Sequence, residues 1–287
     1  MEPAQLQLAV EAAKAVVAGL GFRVDDAVVL HNSNRIAVRL TPCDVLARIA
    51  PRHTPENDLE LEIARRLTEA GSPVAGPDPR VEPRVHVHDG FAITLWTYHE
   101  PIEPEEIAPG EYGQVIARLH AGLRTVDVPA PHFTDRVAEA QQLVADPEQT
   151  PELLDADREL LASTLRRFGA AVCGDRSRDQ LLHGEPHLGN VHRTRHGLLF
   201  IDFETCCRGP VEFDIAHALL PSEEGRTLDT DELCEQYPGI NRAVIDQSVI
   251  LIWSMITTWR WCWSDELPNG RHWRTEGLNQ LRVALDL

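Results

Sequence analysis

The sequence predicts an α+β protein: a small antiparallel β lobe carrying one helix, followed by a larger, mainly helical lobe. Three features predict it. Short runs rich in Val, Ile and Ala, broken by Asn, Asp, Gly and Pro turns, dominate the first hundred positions, as strands require. Beyond Pro101 the apolar residues recur at helical spacing over longer segments. Between them, residues 101–109 are rich in Pro and Glu and read as a joint, which sets lobes at 1–100 and 101–287.

Taken in order, residues 5–19 have a helical apolar pattern closed by Gly19-Leu20-Gly21. Strands follow at 28–31, 35–40 and 45–50, turned by Asn32-Ser33-Asn34 and by Thr41-Pro42-Cys43-Asp44. Residues 56–70 are amphipathic and stop at Gly71, which predicts a helix. Strands at 84–88 and 91–97 are joined by Asp89-Gly90, a hairpin signal. The first lobe is thus a five-stranded antiparallel sheet with one inserted helix. In the second, helices are predicted at 111–123, 134–145, 151–172, 243–263 and 275–285.

Composition limits the function. At 287 residues, 43% hydrophobic and 25% charged, the chain can bury a large core and has an ordinary globular make-up. It shows no apolar run long enough to span a bilayer and no basic, apolar leader, so a cytoplasmic protein is expected. Its cysteines lack zinc-ligand spacing and read as reduced, mostly buried small hydrophobes. A net charge of −18 argues against nucleic-acid or anionic-membrane partners, because phosphate binding needs clustered Lys and Arg. The charge suits a cationic small molecule, although acidity for solubility alone accounts for it equally well.

The chemistry concentrates in Leu182-His183-Gly184-Glu185-Pro186-His187-Leu188-Gly189-Asn190 and Leu199-Phe200-Ile201-Asp202-Phe203-Glu204. A carboxylate at Glu185 is followed five residues later by an amide at Asn190, and twelve beyond that by Asp202. The intervening 191–201 reads as strand, turn at His196-Gly197, strand, a hairpin that returns Asp202 toward Asn190. Glu185, Asn190 and Asp202 are therefore expected to face one small volume, as a base and two oxygen ligands. Hard cations such as Mg²⁺ choose such ligands, one or two from protein with phosphates supplying the rest. The kinase catalytic loop uses the same spacing. Gly209-Pro210-Val211-Glu212-Phe213-Asp214-Ile215-Ala216 follows, a turn into a helix with an acid near its start.

Residues 183–216 resemble the aminoglycoside phosphotransferase family, antibiotic kinases and their relatives with a protein-kinase-like fold. The family pattern is His-Gly-Asp, four residues, Asn, then Ile-Asp-Phe or Ile-Asp-Trp, then Gly-Pro and a helix Asp. Every element is kept but one: Glu185 stands where the family has Asp. The β-rich lobe followed by helices extends the resemblance over nearly the whole chain.

The resemblance implies ATP as phosphoryl donor, with GTP left open, and Mg²⁺ held by Asn190 and Asp202. It makes Glu185 the base toward an acceptor hydroxyl, and His183 and Asp214 structural supports of the loop. His187 is left between a phosphate contact and a polar loop position. Glu185 is one methylene longer than Asp, and a misplacement of about 1 Å can cost on the order of a hundredfold in rate. Compensation by the local backbone is expected, with an impaired kinase as the alternative.

In the first lobe, Arg48 sits where kinases place the strand Lys that clamps the α- and β-phosphates. It keeps the charge and adds a fork suited to phosphate. Glu60 is its family-matched partner, and Glu62 competes if the helix register differs. The turn at 32–34 takes the place of the phosphate-covering loop, with Ser33 as its contact. Trp96 and Tyr98 correspond to the hinge, where backbone groups bind adenine. Acceptor-binding candidates are Glu204 and Glu212, with Asp229, Asp231, Glu232 and Glu235 also in view. Trp253, Trp259, Trp261, Trp263 and Trp273 read mostly as core.

The expected function is ATP- and Mg²⁺-dependent O-phosphotransfer to a hydroxyl of a small molecule, a cationic antibiotic such as an aminoglycoside. One alternative is a metabolic kinase of the choline, homoserine or sugar type. The other, motivated by Glu185 and Arg48, is a nucleotide-binding pseudokinase acting through protein contacts. Fold-level likeness does not choose among acceptors.

Overall fold

The computed structural model describes residues 3–32, 35–102, 106–221, 227–265 and 270–286, so Ser33 lies outside the described residues. In chain order the elements are α1 (Pro3–Gly19), β1 (Val24–Asn32), β2 (Ile36–Pro42), β3 (Val45–Ala50), α2 (Pro55–Glu69), β4 (His86–His88), β5 (Phe91–Thr97) and α3 (Pro109–Leu123). They continue with α4 (Phe133–Ala145), α5 (Asp155–Cys173), β6 (Gln180–Leu182), β7 (Val191–Thr194), β8 (Gly197–Phe200), β9 (Cys207–Gly209), α6 (Val211–Ala218), α7 (Thr230–Glu235), α8 (Arg242–Trp261) and α9 (Gly270–Ala284). These form two compact units. Unit 1 comprises Met1–Ile107, Ala121–Val128 and Asn190–Thr205; unit 2 comprises Ala108–His120, Pro129–Gly189 and Cys206–Leu287.

Unit 1 is built on a five-stranded antiparallel sheet of order β1-β2-β3-β5-β4, as predicted. Strand alternation divides its residues. Ile36, Val38 and Leu40 of β2, Val45, Ala47 and Ile49 of β3, and Ile93 and Leu95 of β5 pack with Ala9, Ala12, Ala13 and Val17 of α1. Each fully buried Val, Leu or Ile there contributes about 1.5–3 kcal/mol. The other face carries Arg48, whose register partner on β2 is Ala37. Helix α2 starts with Pro55 in its first turn, and the Thr54 N–H donates to Asn57 Oδ1 at 2.8 Å. It buries Glu60, Leu61, Ile63, Ala64 and Leu67.

The β7–β8 hairpin belongs to the same unit. Thr194 pairs with Gly197, and Gly197 has φ +100°, a conformation glycine adopts without penalty. The hairpin is tied to the segment after α2: the Phe200 N–H donates to the Pro73 carbonyl, and the Ala75 N–H to the Phe200 carbonyl, both at 2.9 Å.

Unit 2 is mainly helical. Phe133, Val137, Ala140 and Val144 form the buried stripe of α4, and Leu161, Leu165, Phe168 and Val172 that of α5. The short strands β6 and β9 pair antiparallel. A Cβ on Gly209 would lie 2.8 Å from the Phe133 ring, which in turn packs on Phe213 with centroids 5.0 Å apart.

Several boundaries differ from the sequence expectation. The helix expected from 151 begins at Asp155, because Arg158 Nη2 draws the carbonyls of Thr150 and Leu153 to itself at 3.0 and 3.3 Å. The helix expected from 275 begins at Gly270, the one expected to reach 263 ends at Trp261, and the strand expected at 84–88 contracts to His86–His88. Strands β6 and β9 and helix α7 are too short to show periodicity and are not foreseen. Trp263, expected in the core with its neighbours, is 66% exposed. All six cysteines are free thiols. Among the described residues no helix is long and apolar enough to cross a membrane.

Candidate active site

In unit 1 the site is built around one carboxylate. Glu60 is fully buried, and its two oxygens serve different arginines: Oε1 accepts from Arg48 Nη1 and Oε2 from Arg35 Nη1. Glu60, not Glu62, is thus the partner of Arg48; Glu62 pairs instead with Arg65 and Arg66 along α2. The ion chain continues outward. Arg48 Nη2 donates to Asp202 Oδ1 at 2.7 Å, and Arg35 Nε lies 2.7 Å from Glu204 Oε2. Burial works against the charge on Arg48, but Glu60 and Asp202 outweigh it and hold the guanidinium above its ordinary value.

The hairpin explains the position of Asp202. Val191 pairs with Phe200, and the Ile201 N–H donates to the Asn190 carbonyl at 3.0 Å, so Asn190 and Ile201 meet at the open end of the hairpin. The next residue, Asp202, has φ +68°. Asp tolerates this left-handed conformation better than most residues, and such positions cluster at functional sites. Burial, then the neighbouring Asp202, pushes the Glu204 carboxyl up to about 7 in spite of Arg35. An amide and a carboxylate fit a Mg²⁺ ion completed by phosphate oxygens. Among the described residues no group of three or more His, Cys, Asp or Glu could hold a metal ion by itself.

Trp96 is buried, donates Nε1–H to Thr94 Oγ1 at 2.8 Å, and has the Arg48 guanidinium 5.7 Å from its ring centroid. The Tyr98 ring lies under Arg39 at 4.0 Å and lines a pocket of about 380 Å³ with Arg39, His99, Glu100, Arg195 and His196.

In unit 2 the loop bearing Glu185 is fastened from beneath. Asp214, fully buried in the first turn of α6, accepts from the His183 and Gly184 N–H groups, each at 2.8 Å, and is 3.0 Å from His120 Nε2. Burial would raise its carboxyl; the hydrogen bond and charge of His120, with the charge of His183 and the Gly184 N–H, hold it below the ordinary range. Gly184 itself has φ +92°. His183 is fully buried and its Nδ1 accepts from the Glu185 N–H at 3.4 Å. Tyr112 Oη donates to the Pro186 carbonyl. His187 is exposed and its Nδ1 accepts from the Gly189 N–H at 3.1 Å.

Glu185 Oε1 accepts from Nη2 of Arg136, on α4, whose guanidinium lies 4.9 Å over the Trp259 ring on α8. Burial favours the neutral form of Glu185, but the charge and hydrogen bond of Arg136 more than offset it and keep the carboxyl below its ordinary value. Burial pushes His217 down to about 3, so it is neutral at ordinary pH. Glu212 is buried and accepts from the Asn241 N–H at 3.0 Å, at the start of α8; Asp229 caps α7, and Asp231 pairs with Arg242.

Sequence reasoning missed Arg35, Arg136, His120 and His217. Arg35 was legible in principle, since it shares strand parity with Ala37 and hence the face of Arg48. Arg136 carried a fainter signal, a charge at helical spacing from Phe133 and Ala140 in an apolar stripe.

A sheet that presents a strand arginine to a buried helix carboxylate, and a hairpin that delivers an aspartate to the same arginine, define a phosphotransferase with a kinase-like fold. The chain belongs to the phosphotransferase enzyme family, APH, which matches residues 28–246. Solved structures share the fold over nearly all of both chains. Amicoumacin kinase hAmiN, in complex with AMP-PNP, Ca²⁺ and Ami, is 13% identical with a TM-score of 0.71, covering 98% of this chain and 96% of its own. A choline/ethanolamine kinase family protein from Mesorhizobium loti is 16% identical with a TM-score of 0.72, covering 96% and 94%. The GDP and kanamycin complex of APH(2")-IIia gives 14% identity and a TM-score of 0.66, covering 95% and 98%. Comparison with curated proteins finds no significant match.

Proposed function

We propose that the protein is a cytoplasmic ATP- and Mg²⁺-dependent O-phosphotransferase acting on a hydroxyl of a cationic antibiotic, with an aminoglycoside as the type of acceptor. The ion chain from Glu60 through Arg48 to Asp202 carries this reading. A kinase site needs a cation for nucleotide phosphates, a carboxylate to set that cation, and an acid for the metal, and this chain of residues supplies all three. Asn190 and Asp202 would hold Mg²⁺, which neutralises phosphate charge when bound. Glu185 accepts the proton of the acceptor hydroxyl and orients its oxygen. His183 and Asp214 hold the loop that carries it. The hinge backbone at Trp96 and Tyr98 is assigned to the adenine.

Support for an antibiotic acceptor comes from the amicoumacin and kanamycin complexes among the similar structures, and from the net charge of −18. The choline/ethanolamine kinase family protein, with the higher TM-score of the three, favours a second reading, a metabolic kinase with a monocationic acceptor. Purified protein assayed with ATP or GTP and Mg²⁺ against aminoglycosides, peptide antibiotics, macrolides, choline and sugars separates the two. Efficient turnover of choline and none of the antibiotics would overturn the first reading.

A further inference from the structure

We infer that Arg136 is a positioning residue for the catalytic base: clamped between Glu185 and the face of Trp259, it places the carboxylate of a Glu that stands where the family has Asp. This inference rests on the reading of Glu185 as the base. Arg136 projects from α4, Trp259 from α8, and Glu185 from its own loop, so two helices of unit 2 fix one guanidinium against one carboxylate. Glu has one more rotatable bond than Asp, and its extra freedom must be removed before the carboxylate can be held for in-line chemistry. A charge-assisted hydrogen bond from a stacked arginine removes it.

The surroundings of Arg136 argue against a purely structural role. Its Nη1 is buried without a partner among the described residues, a cost that an apolar side chain at this place would avoid. What the arginine supplies that leucine or methionine would not is the contact with Glu185. The groups facing Glu185 are Arg136 on α4, His217 on α6, and His187 on the same loop; the buried Cys207 on β9 lies nearby. With His217 neutral above about pH 3, Arg136 is the fixed cation of the set.

The test uses the full chain, labelled with ¹³C at glutamate carboxyls, with the Glu185 resonance assigned by its loss in Glu185→Gln. In the parent protein it should titrate below ordinary glutamate, and in Arg136→Met about one unit or more higher. With the acceptor found by the panel above, Arg136→Met should lower kcat on the order of a hundredfold, the effect of a misplacement of about 1 Å, with KM for nucleotide little changed. The acid limb of its kcat profile should move up with the Glu185 titration. Arg136→Lys, which keeps the charge without the fork, should restore the limb and part of kcat.

Unchanged kcat and titration in Arg136→Met would overturn the inference. A crippled Glu185→Gln beside an unimpaired Arg136→Met sinks the positioning role alone, whereas full kcat in Glu185→Gln sinks the base reading itself. Should Arg136→Met fail to fold, Trp259→Leu carries the test. It leaves the charge but frees the guanidinium, and kcat should drop about twofold to thirtyfold, the range of one cation–π contact. No drop there overturns the inference.

Discussion

Arg48 Nη2 donates to Asp202 Oδ1 at 2.7 Å, so the strand cation and the hairpin carboxylate are bonded directly to each other. Asp202 makes this bond from a left-handed backbone, and the Arg48 side chain is mostly buried. On the proposed reading, a metal ion at Asp202 would share its carboxylate with the Arg48 guanidinium.

The first prediction concerns Asp202→Asn. Asn tolerates the left-handed backbone as Asp does, so the variant should fold normally. On the proposed reading it loses the charge that binds the metal, worth several kcal/mol of transition-state stabilisation, so kcat should fall by about a hundredfold or more. Steady-state assays at saturating Mg²⁺, beside circular dichroism, check this. Near-normal turnover in a folded Asn variant would remove Asp202 from the metal site.

Glu60→Gln should be damaging to stability as well as activity. It leaves Arg35 and Arg48 facing a neutral amide in a buried position, and breaking such a pair costs about 3–5 kcal/mol. Urea unfolding of the parent and variant measures the difference. A loss below about 1 kcal/mol would mean that Glu204 and Asp202 already compensate the two arginines.

Asp214→Asn should be destabilising at neutral pH and progressively less so in acid. The parent carboxyl lies below its ordinary value when folded, so its stabilisation is present above the unfolded value of about 3.9 and is lost as pH falls through the folded one. Its bonds to two backbone N–H groups and His120 suggest a loss of at least about 1.5–3 kcal/mol at pH 7. Unfolding titrations from pH 7 down to about 3 should show the two proteins converging. A pH-independent gap would mean that packing, not charge, is what Asp214 contributes.

Gly209→Ala tests packing alone. The added Cβ would meet the Phe133 ring at 2.8 Å, and overpacking of this kind costs about 1–3 kcal/mol. Thermal unfolding should register it, with kcat per folded molecule largely preserved. An unchanged melting temperature would show that α4 can retreat from β9.

The strands and long helices were legible because burial writes its period into the sequence: Ile36, Val38 and Leu40 alternate, and Phe133, Val137, Ala140 and Val144 recur at helical spacing. The return of the chain from Asn190 to Ile201, next to Asp202, was legible because a hairpin of fixed length joins them. The partners that complete the site were not. Arg136 meets Glu185 across forty-nine positions and Arg48 meets Asp202 across one hundred and fifty-four, and nothing local encodes such separations. Where helices begin was also beyond periodicity, since Arg158 decides the start of α5 by drawing carbonyls to its side chain.

Unit 1 is assembled from three separate stretches of polypeptide, and the last of them, Asn190–Thr205, hydrogen-bonds to Pro73 and Ala75 far upstream. Severing the backbone between residues 101 and 107 would leave an amino-terminal piece with the whole sheet but without Asn190 and Asp202. That piece could regain them only by capturing the hairpin from the other fragment. The chain is therefore suited to split-protein complementation: phosphotransfer from two co-expressed halves would report whether proteins fused to them come together.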